Sequence, residues 1–184
     1  MMKIKSIYFL IGTFLVLLIS SCEPNNPFDT GPTYDVEANL EIDREKIEEY
    51  LATAEIDSLY RVYDRGVVVI VQEEGVGTRP VAGSVVYADY TGSLISDGTV
   101  FDTSIESVAI ENDIFNEDRT YQPIEFSIGT GGVIPGWDIG FQRLRPGSKA
   151  VLIIPSPYAY RDNERELIPA NSVLRFDVVF RGLD

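Results

Sequence analysis

The spacing of apolar residues changes character along this chain, and each change marks an element. Ile7 to Ile19 is an almost unbroken apolar run behind Lys3 and Lys5. Glu23 to Tyr34 carries Pro24, Pro27, Gly31 and Pro32 among Asn and Asp, the composition of an extended tether. From Ala38 to Tyr63 the period is helical. Leu40, Ile47, Tyr50 and Leu51 recur on one face, Asp43 is a candidate cap, and Ile56, Leu59 and Val62 continue as a second short piece. After Asp64-Arg65-Gly66 the pattern switches to short β segments: Val67–Gln72, Ser84–Leu94, Val100–Phe101, Ile124–Ile128, Ser148–Ile154 and Ser172–Phe180. Asp97-Gly98 is a tight-turn signal before Val100. The last segment alternates, with Leu174, Phe176, Val178 and Phe180 on one face and Arg175, Asp177 and Arg181 off it. One buried and one solvated face is the habit of an antiparallel sheet. The single obvious helix among these strands opens at Pro135 and runs to Leu144, with proline in the first turn, where its missing N–H has no partner to lose. The expected fold is α+β: a curved antiparallel β-sheet wrapped around one short α-helix, led by an N-terminal helical extension.

The ends of the chain add a location. Ile7–Ile19 is shorter than the ~20 residues of a spanning helix but suits the core of a signal peptide. Small residues follow, and Ile19-Ser20-Ser21-Cys22 resembles a bacterial lipobox. The expected organisation is a cleaved lipoprotein signal over 1–21, a flexible tether over 22–37 starting from lipidated Cys22, a helical extension over 38–63 and a folded domain over 64–184. Anchored in this way, the protein would work outside the cytoplasm, in a bacterial cell envelope, with the outer membrane favoured because Glu23 rather than aspartate follows the cysteine. The extension lacks sustained heptads, so it is read as packing on its own domain and the protein as a monomer.

Composition then removes whole classes of chemistry. There is no histidine, which excludes Ser-His-Asp and Cys-His catalysis and the HExxH zinc site. The only cysteine is Cys22, so there is no intrachain disulfide and no thiolate cluster. With 29 acidic against 15 basic residues the net charge is −14, which repels phosphate backbones and argues against a nucleic-acid partner. Neither a cofactor nor a metal is expected. Asp and Glu cluster between Ile105 and Thr120 (Glu106, Glu111, Asp113, Glu117, Asp118), but without the ligand spacing or turn glycine of a calcium loop, so they read as a solvated acidic flap. Gly129-Thr130-Gly131-Gly132 lacks both phosphate-loop patterns and reads as a flexible loop. Trp137, the one tryptophan, is by itself an ordinary core aromatic.

Read together, the motifs are more specific. Tyr90-Thr91-Gly92, Asp97-Gly98, Phe101-Asp102-Thr103-Ser104, Pro123 to Gly129, Val133 to Trp137, Tyr158-Ala159-Tyr160, Ile168-Pro169 and Leu174 to Val178 follow in an order that resembles the FK506-binding proteins. The resemblance spans about Val67 to Asp184 and implies a peptidyl-prolyl cis–trans isomerase that binds proline-containing polypeptides and FK506-type macrolides. It implies that Trp137 is the floor of a pocket, walled by Tyr90, Phe101, Val133, Ile134 and Phe176. Tyr160 and the Ile134 N–H are expected to bond substrate carbonyls, Asp102 to sit at the rim and Ile168 to close the far side. Alternation alone also accounts for Phe176 as a core residue, and Asp102 also suits a turn cap. Two departures keep a second reading open, that of a non-catalytic peptide-binding module. Ile124 stands where the family commonly has an aromatic, and Arg161 to Glu166 is a charged loop without the usual glycine.

Overall fold

The computed structural model describes residues 34–184, which form one unit; the signal, the lipobox at Cys22 and all but the end of the tether lie outside the described residues. Helix α1 (Val36–Thr53) starts where Asp35, in an extended conformation, accepts a hydrogen bond from the Ala38 N–H at 3.0 Å. The cap is therefore Asp35, and not Asp43, which lies mid-helix and is almost wholly buried. The helical extension is also shorter than its apolar pattern suggests. It ends at Thr53, and Tyr60–Asp64 is a strand, β1. Arg65 and Gly66 both have positive φ (52° and 90°), the signature of a two-residue hairpin turn whose twist matches the flanking strands. That turn pairs β1 with β2 (Val67–Glu73), Asp64 opposite Val67. Hairpin geometry overrides the helical spacing of Ile56, Leu59 and Val62.

The remaining elements are β3 (Val85–Leu94), β4 (Val100–Thr103), helix α2 (Glu106–Glu111), β5 (Ile124–Ser127), helix α3 (Pro135–Phe141), β6 (Lys149–Ile154), a 3-10 turn at Ser156–Tyr158 and β7 (Leu174–Leu183). The strands form one antiparallel sheet in the order β1-β2-β6-β7-β3-β4, with β5 also paired to β3. Gly92 pairs with both Asp102 and Phe176, and the β3–β4 register slips immediately after it. The irregularity falls beside the pocket motifs. Helix α2 was not anticipated; the segment read as an acidic flap contains a short helix that buries Ala109.

Side chains alternate between the two faces of a strand, so each face can be followed separately. Val67, Val69, Val71, Leu152, Ile154, Leu174, Phe176 and Val178 share one core with Trp137, Ile139 and Phe141 of α3. Val68, Ile70, Val151 and Ile153 share a second core with Ile47 of α1. The sheet is therefore covered on both faces where β2 and β6 run, which is why these strands read as continuous apolar runs. Strand β7 keeps polar residues toward α1: the Arg175 guanidinium donates to both Asp177 oxygens (2.8 and 2.7 Å) and to the Tyr50 hydroxyl (2.8 Å).

Helix α3 reaches the sheet through glycines. A Cβ at Gly136 would lie 2.3 Å from Ile154 Cγ2, and one at Gly140 would lie 2.9 Å from Leu152 Cδ1. Alanine gains up to ~1 kcal/mol of helix propensity over glycine, but overpacking a filled core costs about 1–3 kcal/mol. Gly136→Ala is therefore expected to lower stability, read as a fall in the urea midpoint with an unchanged slope; an unchanged or higher midpoint contradicts this packing.

Candidate active site

The pocket is built on the face that holds α3. Trp137 is 4% exposed and lies among four aromatic rings. Its indole meets Tyr90 at 5.1 Å and 80°, Phe176 at 5.3 Å and 88°, Phe126 at 5.3 Å and Phe141 at 5.4 Å between centroids. The first three are edge-to-face pairs, which satisfy the ring quadrupoles and fix the indole plane, while Phe141 is tilted at 42°. Phe101 adds a second edge contact to Phe176 at 5.6 Å. Gly92 is required beneath them, because a Cβ there would lie 2.7 Å from the Phe101 ring and 2.8 Å from Phe176.

Around this floor Tyr90, Phe101, Asp102, Ile124, Val133, Ile134, Trp137, Tyr160 and Phe176 line a cavity of about 160 Å³, together with Gly132. Loop 129–132 is tied down at its base, the Gly129 N–H donating to Asp138 of α3 at 2.9 Å. Ile134 precedes α3, and its carbonyl accepts from the Trp137 N–H at 2.9 Å. Among the described residues the Ile134 N–H has no backbone acceptor. Ile168, which closes the Arg165–Ile168 turn, is buried in the same apolar cluster as Trp137 and Phe176 but is not on the cavity lining. Larger depressions exist, including one of about 810 Å³ between α1 and the β1–β2 hairpin, but volume alone says nothing of chemistry.

The polar rim is a charged triangle. Tyr90 donates its hydroxyl to Asp102 at 2.6 Å, and Asp102 also accepts from its neighbour's Thr103 N–H at 2.9 Å. Arg119 pairs with the same carboxylate and donates to the Tyr90 oxygen at 3.1 Å. Ser104 and Thr103 hold β4 in place by accepting from the Tyr90 N–H at 2.9 Å and donating to the Tyr90 carbonyl at 2.8 Å. Burial first, then the hydrogen bond donated to Asp102 and the Asp102 charge, raise the Tyr90 pKa well above the ordinary phenol value. Burial alone would lower that of Arg119, but its bonds to Asp102 and Tyr90 prevail and hold the guanidinium protonated. Arg119 is the one basic residue in the 105–120 insertion, and that isolation within an acidic run was the available signal.

Tyr160 follows the 3-10 turn at Ser156–Tyr158, half-buried, with the Arg165 guanidinium 5.1 Å from its ring centroid. Burial raises its pKa, against the lowering effect of Arg165. Its hydroxyl makes no side-chain hydrogen bond among the described residues. The charged 161–166 loop therefore folds back on the pocket rim.

Comparison with known proteins accords with this geometry. The family profile described as FKBP-type peptidyl-prolyl cis-trans isomerase matches residues 77–180, more than half of the chain. The chain belongs to this family. It is 41% identical over 102 residues to FK506-binding protein 1 of Saccharomyces cerevisiae, covering 55% of this chain and 77% of that one. It is 37% identical over 141 residues to the FKBP-type peptidyl-prolyl cis-trans isomerase FkpA of Aeromonas hydrophila, covering 77% of this chain and 47% of that one. The chain thus spans about half the length of the latter. The crystal structure of FkpA from Escherichia coli superposes with a TM-score of 0.58 at 28% identity, over 80% of this chain and 60% of that one. Within this FKBP-type framework Ile124 contributes an aliphatic side chain to the cavity wall.

Alkaline pH tests the rim. Tyr90 holds its proton in the fold above the ordinary value of 10.0, whereas the unfolded chain releases it there. The stability this contributes is complete below about pH 10 and is lost as pH rises toward the raised folded value. Urea midpoints at about pH 9 and about pH 11 are expected to fall in the wild type, and to fall less in Tyr90→Phe; Tyr34, Tyr87 and Tyr160, also shifted upward, retain the remainder of the slope.

Proposed function

We propose that this protein accelerates rotation about X–Pro bonds by holding the proline ring on Trp137. The barrier to that rotation is ~20 kcal/mol, because twisting the amide destroys its resonance. No nucleophile, metal or proton relay is required, so a chain without histidine loses nothing. The twisted amide has less charge separation than the planar one and needs less solvation, so an apolar pocket favours it over the ground state. The observation that carries the proposal is the aromatic cavity itself. At about 160 Å³ it is roughly five times the ~30 Å³ share of a liquid water, room for a pyrrolidine ring. The Tyr160 hydroxyl and the Ile134 N–H are the donors for substrate carbonyls, and Asp102, its charge balanced by Arg119, orients the peptide at the rim. FK506-type macrolides are expected to compete for the same floor.

The site of action follows from the leader. The order of basic start, apolar run, small residues and Cys22 supports lipidation at Cys22 and attachment to a bacterial envelope, where clients are extracytoplasmic chains. A radiolabelled fatty acid incorporated by the wild type and lost in Cys22→Ser tests this; equal labelling contradicts it.

Activity is tested by isomerisation of an X-Pro peptide series coupled to chymotrypsin. Asp102→Ala is expected to lose about 10- to 100-fold in kcat/KM, the equivalent of a charged hydrogen bond worth ~1.5–3 kcal/mol. Trp137→Leu, which keeps an apolar side chain under the sheet, is expected to lose activity at least as strongly. The Ile124 wall favours one alternative, a module that binds proline peptides without turning them over. Ligand-dependent quenching of Trp137 fluorescence with no acceleration for any X would establish that alternative.

A further inference from the structure

Tyr160 is held in place from outside the pocket. Ser156, fully buried, opens the 3-10 turn just before it, and its carbonyl accepts from the N–H groups of Ala159 at 3.0 Å and Arg161 at 2.9 Å, one on each side of Tyr160. Ser156 is itself gripped by the N-terminal extension. Its N–H donates to Asp43 Oδ2 of α1 at 2.7 Å, and its hydroxyl lies 3.0 Å from that of Tyr34. Asp43 is 1% exposed, at a position where an amphipathic helix normally carries an apolar residue. A buried carboxylate is retained only with partners, and the second partner completes a frame. Lys46 donates to Asp43 Oδ1 at 2.7 Å and to the Asn171 carbonyl at 3.3 Å, while the Asn171 N–H donates to the Arg161 carbonyl at 2.7 Å. The Arg161 guanidinium also lies 5.8 Å from the Tyr34 ring centroid. Helix α1 thus grasps the chain on both flanks of Tyr160.

We infer that Asp43 is a positioning residue for Tyr160: through Ser156 and Lys46 it couples the N-terminal helix to the rim of the proline pocket. The inference rests on the role proposed for the Tyr160 hydroxyl. An acceptor on a rigid helix fixes the Ser156 peptide, and that peptide fixes where the phenol stands over a bound X–Pro carbonyl. Displacements of this kind, remote from the reacting bond, cost up to about 100-fold in rate.

The test is a double-mutant cycle on the whole chain, read by X-Pro peptide isomerisation and by amide hydrogen exchange. Asp43→Ala is expected to lower kcat/KM by about tenfold or more, and Asp43→Asn, whose amide oxygen still accepts from the Ser156 N–H, to restore most of it. In a Tyr160→Phe background the Asp43→Ala loss should largely vanish, because the hydroxyl it positions is gone. The Ala159 and Arg161 amides should exchange about tenfold faster or more, while Ile128, bonded to the Ser84 carbonyl at 3.0 Å across the domain, keeps its rate. If Asp43→Ala does not fold, Tyr34→Phe makes the same test through the Ser156 hydroxyl, with a smaller effect in the same direction. Equal losses in both backgrounds overturn the inference, as do unchanged exchange rates at 159 and 161. A wild type without isomerase activity defeats the proposed function instead, and the exchange rates then decide the coupling alone.

Discussion

Everything at the pocket depends on how closely α3 can approach the sheet. Gly136 and Gly140 remove the two Cβ atoms that would hold the helix off Ile154 and Leu152. With them gone, Trp137 lies deep enough to meet Tyr90, Phe176 and Phe126 edge to face and Phe141 at a tilt. Gly92 does the same from the strand side, leaving space for the Phe101 and Phe176 rings. A cavity floored by aromatic rings persists above the indole because those rings are already packed from behind, and packed interiors do not collapse into a space whose lining is held on all sides.

The charge at the rim of that cavity is held by its own partners. Asp102 is the one carboxylate on its lining, and it is answered by Tyr90, the Thr103 N–H and Arg119 before it reaches the pocket centre. Charge-assisted hydrogen bonds of this kind fix the orientation of the carboxylate at the rim. On the opposite face the same device recurs with Asp43, whose partners are a backbone N–H and Lys46. A half-exposed acid, Asp102, shapes the rim, and a buried one, Asp43, ties the N-terminal helix to the loop that carries Tyr160.

Elements that bury a continuous or alternating apolar face were legible from sequence. Strands β2, β3, β5, β6 and β7, the turn at Asp97-Gly98 and the proline-led entry to α3 all follow from residue spacing. Strand β1 was not, because Tyr60-Arg61-Val62-Tyr63-Asp64 is a mostly exposed edge strand specified by its turn rather than by burial. The Ile168-Pro169 motif does place Ile168 in the apolar cluster that holds Trp137 and Phe176, although it is off the cavity lining. The insertion was read by its carboxylates, and its one arginine turned out to complete the rim. Asp43 carried a signal in plain view, a charge at the apolar face of a helix between Leu40 and Ile47. Its meaning needed the partner at Ser156, more than a hundred residues away, which local spacing cannot supply.

The central claim is that this aromatic pocket lowers the barrier to X–Pro rotation. Two-dimensional exchange NMR on a proline peptide measures that rate with no coupled protease. Uncatalysed interconversion takes about tens of seconds at 25 °C. With a sub-stoichiometric amount of the wild-type protein the account predicts cis–trans cross-peaks at mixing times under about a second, suppressed by an excess of an FK506-type ligand. Peptide resonances that shift with protein while the cross-peaks stay absent would contradict it, leaving a pocket that binds proline and does not turn it.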